Sequence, residues 1–127
     1  MAKLILMIIL GLSVAMYFPD SRQMVLDTAA PVIDPVLGWQ TSGEIEEIIR
    51  DLRTHEQEHY NRLPDRREWQ DWLGRTYHGK VTEDSWGQPY HFLTQRDSFY
   101  VVSYGPDRTY GTIDDIRQGG VRANARR

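Results

Sequence analysis

Asp84-Ser85-Trp86-Gly87-Gln88-Pro89-Tyr90, followed by Phe99-Tyr100-Val101-Val102-Ser103-Tyr104-Gly105-Pro106-Asp107 and Gly111-Thr112-Ile113-Asp114-Asp115-Ile116, decides what this chain folds into. Trp86-Gly87-x-Pro89 is a turn: the glycine supplies permissive backbone and the indole a large surface to bury. Nothing in it is chemically reactive, so a packed turn is the reading it supports. Tyr90 to Leu93 and Ser98 to Ser103 are rich in aromatic and β-branched residues and read as strands. Thr94-Gln95-Arg96-Asp97 fits the hairpin loop between them.

Tyr104 to Asp115 has another character. Asp107, Asp114 and Asp115 crowd three carboxylates into a short segment with no Lys and only Arg108 nearby. Calcium takes six to eight hard oxygen ligands from carboxylates, carbonyls and water in flexible geometry, which suits such a loop. Gly105 and Gly111 let backbone carbonyls turn inward. The same residues also suit an acidic turn whose aspartates cap backbone amides. A catalytic role is not expected, because three acids without a nucleophile or pocket do not make a site.

Upstream, Ile45, Ile48, Ile49 and Leu52 recur at three- and four-residue steps and predict an amphipathic helix over 44–60. Thr41-Ser42-Gly43-Glu44 has capping-box spacing before it. Glu46 and Arg50 pair on its polar face. Pro64 biases Leu63 away from helical geometry, so the helix should stop near Tyr60. A shorter helix is expected from Asp65 to Leu73, with Trp69, Trp72 and Leu73 inward and Gly74 ending it.

Residues 19–43 contain Pro19, Pro31, Pro35, Gly38 and Gly43, and that density of breakers predicts a linker. Before it, Leu4 to Phe18 is an uncharged, almost wholly apolar run. As a helix it reaches about 22 Å, between a signal-peptide core and a spanning helix. It ends in Tyr17-Phe18-Pro19 rather than the small residues of a cleavage site, so an uncleaved anchor over 1–18 is expected. Lys3 on one side, against Asp20, Asp27 and Asp34 on the other, puts the N-terminus inside. The expected location is the inner membrane, single-pass, with the remainder in the periplasm or outside the cell.

Composition bounds the rest. The 127 residues have no cysteine, which excludes disulfides, thiolate metal sites and cysteine nucleophiles. A net charge of -3 gives no electrostatic reason to expect nucleic acid. Arg117, Arg122, Arg126 and Arg127 form one basic cluster, read as a solvated tail over 117–127. The remaining domain is small enough to need help, and a bound metal is one candidate.

Jointly, the segments from Asp84 to Ile116 resemble the C-terminal domain of the type II secretion major pseudopilin, the G-type subunit. That family reads D-x-W-G-x-P-Y, a hairpin, then S-x-G-x-D and a short Gly-containing loop ending D-D-I. The match covers about a quarter of the chain. Tyr60-Asn61-Arg62-Leu63-Pro64 lies where the family has a Tyr, a turn and a Pro after its helix. The resemblance implies calcium in the loop, with Asp107, Asp114 and Asp115 as carboxylate ligands, joined by the backbone oxygens of Tyr104 and Thr109 and an oxygen of Thr112. It further implies a non-enzymatic structural or accessory role beside other pseudopilin-like or secretion-machinery subunits. The usual prepilin leader is not matched: Gly11 lies inside the apolar run, and Met16 stands where the family has Glu. The head, 44–116, is therefore expected on a different tether.

His55-Glu56-Gln57-Glu58-His59 competes with this reading. H-E-x-x-H on a helix can hold zinc between two histidines, with Glu56 as general base, so a membrane-anchored zinc hydrolase is the alternative. Asp65 falls where a metzincin third ligand lies. Against it, Arg62 stands where that pattern needs Gly, no Met follows Met24, and no sheet precedes the motif to form a cleft. His78 and His91 have no evident partner. A third reading is an anchored interaction module unrelated to secretion. The predicted fold is α+β: the helix over 44–60 across a small antiparallel sheet, closed by the loop.

Overall fold

The Ile45, Ile48, Ile49 and Leu52 stripe is the floor of the core in the computed structural model, which describes residues 2–126. Met1 and Arg127, the outer ends of the expected anchor and tail, lie outside the described residues. Two compact units divide the chain, one through Val36 and one from Leu37 onward.

The first unit is helical. Helix α1 spans Ala2–Tyr17, and helix α2 begins at Pro19 and continues to Glu58. The breaker-rich linker is therefore helical instead. Pro19 opens α2, where a missing N–H costs nothing. Pro31 and Pro35 lie inside the helix. Spaced by four, they delete bonds on one face and leave the other faces of the ladder intact. No helix among the described residues is long and apolar enough to cross a membrane.

The second unit holds the head. The capping-box reading of Thr41 gives way to a tertiary contact. Thr41 is buried inside α2, where its hydroxyl donates to Ser85 Oγ (2.8 Å) and accepts from the Ser85 N–H (3.2 Å). The Glu44 carboxylate accepts from the Tyr90 hydroxyl at 2.7 Å. Helix α2 ends close to the expected place, where Tyr60 and Asn61 take left-handed backbone (φ 55° and 63°) and the Asn61 N–H bonds Glu56 O. Helix α3, Trp69–Thr76, starts later than predicted and runs through Gly74, but buries Trp69, Trp72 and Leu73 as expected.

Strands β1 (His91–Thr94) and β2 (Ser98–Ser103) form the predicted hairpin, with Phe92 opposite Val101. A third strand, β3 (Ile116–Val121), pairs antiparallel with β2, placing β2 at the centre. The tail expected over 117–127 is thus ordered in two parts, its first five residues in β3 and Ala123–Arg126 in a 3-10 turn. Arg117 lies with its guanidinium 3.8 Å over the Tyr100 ring, and the Arg122 N–H donates to Asp97 O. Gly120 is required by packing: a Cβ there would meet the buried Phe99 ring at 2.8 Å.

Between helices and sheet lie Trp69, Trp72, Leu73, Tyr90, Phe92, Phe99 and Val101. Trp69 stacks on Phe92 at 4.7 Å. Each such apolar side chain contributes about 1.5–3 kcal/mol by leaving water. The α+β class and the helix packed on a small antiparallel sheet are as predicted.

Candidate functional site

The acidic loop hangs from the turn that precedes the hairpin. Asp84 is buried; its Oδ1 accepts from the Trp86 and Gln88 N–H groups (3.0 and 2.8 Å), and its Oδ2 from the Ser103 hydroxyl at 2.6 Å. Ser103 Oγ in turn accepts from the Gly105 N–H at 3.1 Å. One buried carboxylate therefore fixes both the turn and the point where β2 hands over to the loop. Its role was not evident in sequence because its partners are backbone amides and a distant hydroxyl.

At Gly105 (φ 69°) the chain passes against the backbone of Asp114, so that a Cβ would collide with the Asp114 carbonyl oxygen. This contact closes the loop. Within it, Asp107 Oδ1 accepts from the Thr109 N–H at 2.9 Å, and the Thr109 hydroxyl donates to Asp107 O at 3.0 Å. The Thr112 hydroxyl donates to Thr109 O at 3.2 Å. Asp115 Oδ2 accepts from the Gly111 N–H at 2.8 Å, whereas Asp115 Oδ1 is buried with no hydrogen-bond partner. Asp114 is exposed. Tyr104 stacks on His91 (3.9 Å) and tilts toward Tyr110 (5.4 Å).

Of the six predicted ligands, the loop thus links Asp107, Thr109 and Thr112 by hydrogen bonds and leaves Asp115 with an unsatisfied oxygen. Among the described residues, no three Asp, Glu or His side chains form a group able to hold a metal. Like charges repel, and Asp107 and Asp115 each turn an oxygen to a nearby backbone donor. The donor chemistry still fits a hard cation, because a buried carboxylate oxygen without a donor is costly to leave alone. That fit rests on the one unpartnered oxygen of Asp115 and not on three gathered carboxylates.

The H-E-x-x-H segment occupies the last turns of α2, but its parts face different neighbours. Glu56 is 3% exposed, and its Oε1 accepts from the Ala123 N–H at 3.1 Å, fastening the turn after β3. A general base needs a carboxylate open to water, and this one is committed to the backbone. His55 Nδ1 accepts from the Trp72 indole N–H at 3.3 Å, which places the imidazole proton on Nε2. His59 stacks on His55 with centroids 4.0 Å apart and nearly parallel rings, while its own Nδ1 bonds His55 O. Parallel stacked rings aim their lone pairs side by side rather than at one ion. Burial, and then the neighbouring His59, hold the His55 imidazole below its ordinary range, with Glu58 opposing.

A family described as type II secretion system protein G matches residues 51–119, more than half of the chain. That span starts in α2 and takes in α3, β1, β2, the acidic loop and most of β3. Neither a curated protein nor a solved structure matches the chain.

Proposed function

Because the chain belongs to the family of type II secretion system protein G, we propose that it is a structural, non-enzymatic, pseudopilin-like subunit of a secretion machine, anchored by α1 in the inner membrane with its head outside the cytoplasm. The observation that carries this reading is the family match itself, which takes in the whole hairpin and the loop. Helix α1 supports the anchor: Leu4 to Leu10 present exposed apolar side chains along sixteen helical residues. Such a surface is covered by lipid or by neighbouring helices at low cost. At about 24 Å, α1 is shorter than a hydrocarbon core, so Tyr17 and Phe18 would lie at the interface. In-membrane cross-linking of the full chain tests the assignment. Adducts with itself or with secretion-machinery subunits are expected, and a chain recovered only as an unlinked monomer would remove the basis for the assignment.

We read the loop as a calcium site of this subunit. Asp115 would supply the principal charge, Asp107 and Asp114 further carboxylates, and Tyr104, Thr109 and Thr112 neutral oxygens. Calcium there would neutralise the acidic turn and hold the loop against the end of the sheet. The unpartnered Asp115 Oδ1 supports this. The full chain in detergent should contain one calcium and no zinc. Chelation should lower Tm, because a metal bound only by the fold contributes about 2.7 kcal/mol at a hundredfold excess over Kd. Asp115→Asn should lose both the calcium and the response. Unchanged melting in chelator, or zinc in place of calcium, would refute the loop assignment.

A further inference from the structure

Beside β1, away from the H-E-x-x-H segment, lies a hollow of about 270 Å³. One wall is the His91–Tyr104 stack, with planes within 9° of one another. Pro89 and Leu93 add apolar surface, and Arg66 lines it as well. The Arg66 charge acts on both His91 and Tyr104. Among the described residues, no hydrogen bond or ion pair engages its guanidinium. Asp84 also acts on His91, but both of its oxygens are taken by the Trp86 and Gln88 amides and by Ser103.

In a chain of net charge -3, this cation stands uncompensated at an apolar-walled hollow. A guanidinium is a planar fork that matches a carboxylate in two parallel bonds. Phosphate sites commonly collect several amide donors or cations, and here Arg66 is the one cation, beside a Gln70 amide that already donates to Tyr90 O, among rings and aliphatic carbons. We propose that the hollow receives the C-terminal carboxylate of a partner protein ending in an apolar residue. Arg66 grips the carboxylate, and the His91–Tyr104 stack packs the apolar side chain. This goes beyond membership of a secretion machine and does not depend on calcium in the neighbouring loop.

The test is a titration of ¹⁵N-labelled full chain in detergent micelles with N-acetyl-phenylalanine, its amide, acetate and inorganic phosphate. The Arg66 Nε–H and Trp69 Nε1–H resonances report binding. N-acetyl-phenylalanine should shift both and saturate. Its amide should bind roughly tenfold more weakly, the size expected for losing a charge-assisted pair. Arg66→Gln should weaken the acid by a similar factor and leave the amide unchanged, with Arg66→Lys between. Arg66 is exposed and without internal bonds, so the variant folds, which an unmoved Trp69 indole signal in the absence of probe checks. Equal binding of acid and amide, full affinity in Arg66→Gln, acetate or phosphate matching the acid, or no saturation at all would each overturn the proposal.

Discussion

Gly105→Ala is the sharpest perturbation the loop offers, because a matched control lies six residues away. Both Gly105 (φ 69°) and Gly111 (φ 86°) occupy left-handed backbone, so alanine costs about 1–2 kcal/mol in conformation at either. Only at Gly105 does the added methyl meet anything. It would be driven into the Asp114 carbonyl oxygen and sit 3.0 Å from the carbonyl carbon, whereas nothing lies within 4 Å of the same atom at Gly111. Relieving that overlap means moving backbone, which adds about 1–3 kcal/mol. Gly111→Ala should therefore cost about 1–2 kcal/mol and Gly105→Ala about 2–5 kcal/mol. Each kcal/mol lowers Tm by about 4–8 °C in a domain of this size. Near-ultraviolet circular dichroism of the full chain in detergent, which follows the packed tryptophans of the head, reads the difference. Equal losses for the two variants would show that the Gly105–Asp114 contact does not close the loop.

Other expectations follow from the packing and from one imidazole. Gly120→Ala forces the buried Phe99 ring to shift, at a cost of about 1–3 kcal/mol; chemical denaturation checks it, and an unchanged midpoint would mean that β3 does not pack as described. The His55 imidazole is held below its ordinary range, so its unfolded form takes up a proton first. The stability it contributes is present above about pH 6.5 and is lost as pH falls from there through the lowered value. His55→Gln should shrink the loss of Tm between about pH 7.5 and about pH 5. His91 shifts in the same direction, from burial and then Arg66, so part of the slope should persist. A slope unaltered by His55→Gln would refute the role given to His55.

Local pattern carried much of the fold. The Ile45–Leu52 stripe, the inward Trp69, Trp72 and Leu73, and the hairpin of β1 and β2 were readable because spacing and side-chain type are themselves the cause of those elements. What pattern could not carry was decided over long distances. Strand β3 hides behind Gly119-Gly120, which look like a breaker until Phe99 and Tyr100 are known to press on them from β2. Helix α2 continues through Pro31 and Pro35, against local propensity. Thr41 and Glu44 imitate a cap while bonding to Ser85 and Tyr90, more than forty residues away. The loop was visible as a cluster of charges, but which oxygen goes unsatisfied depended on where the Gly111 amide points. The histidine pair illustrates the opposite error: a motif complete in letters is taken apart by the directions of three side chains.

Tyr90 joins more of the head than any pattern would suggest. Its hydroxyl holds Glu44 of α2, its carbonyl accepts from Trp69 and Gln70 of α3 at 2.7 and 3.0 Å, and its ring lies in the core before β1. Peeling α3 away would strand that carbonyl without donors, and lifting α2 would strand the phenol, so neither helix can leave cheaply by itself. The head therefore has few stable half-open forms. Its parts come undone as one cooperative event, which leaves little foothold for a protease acting on a partly loosened chain.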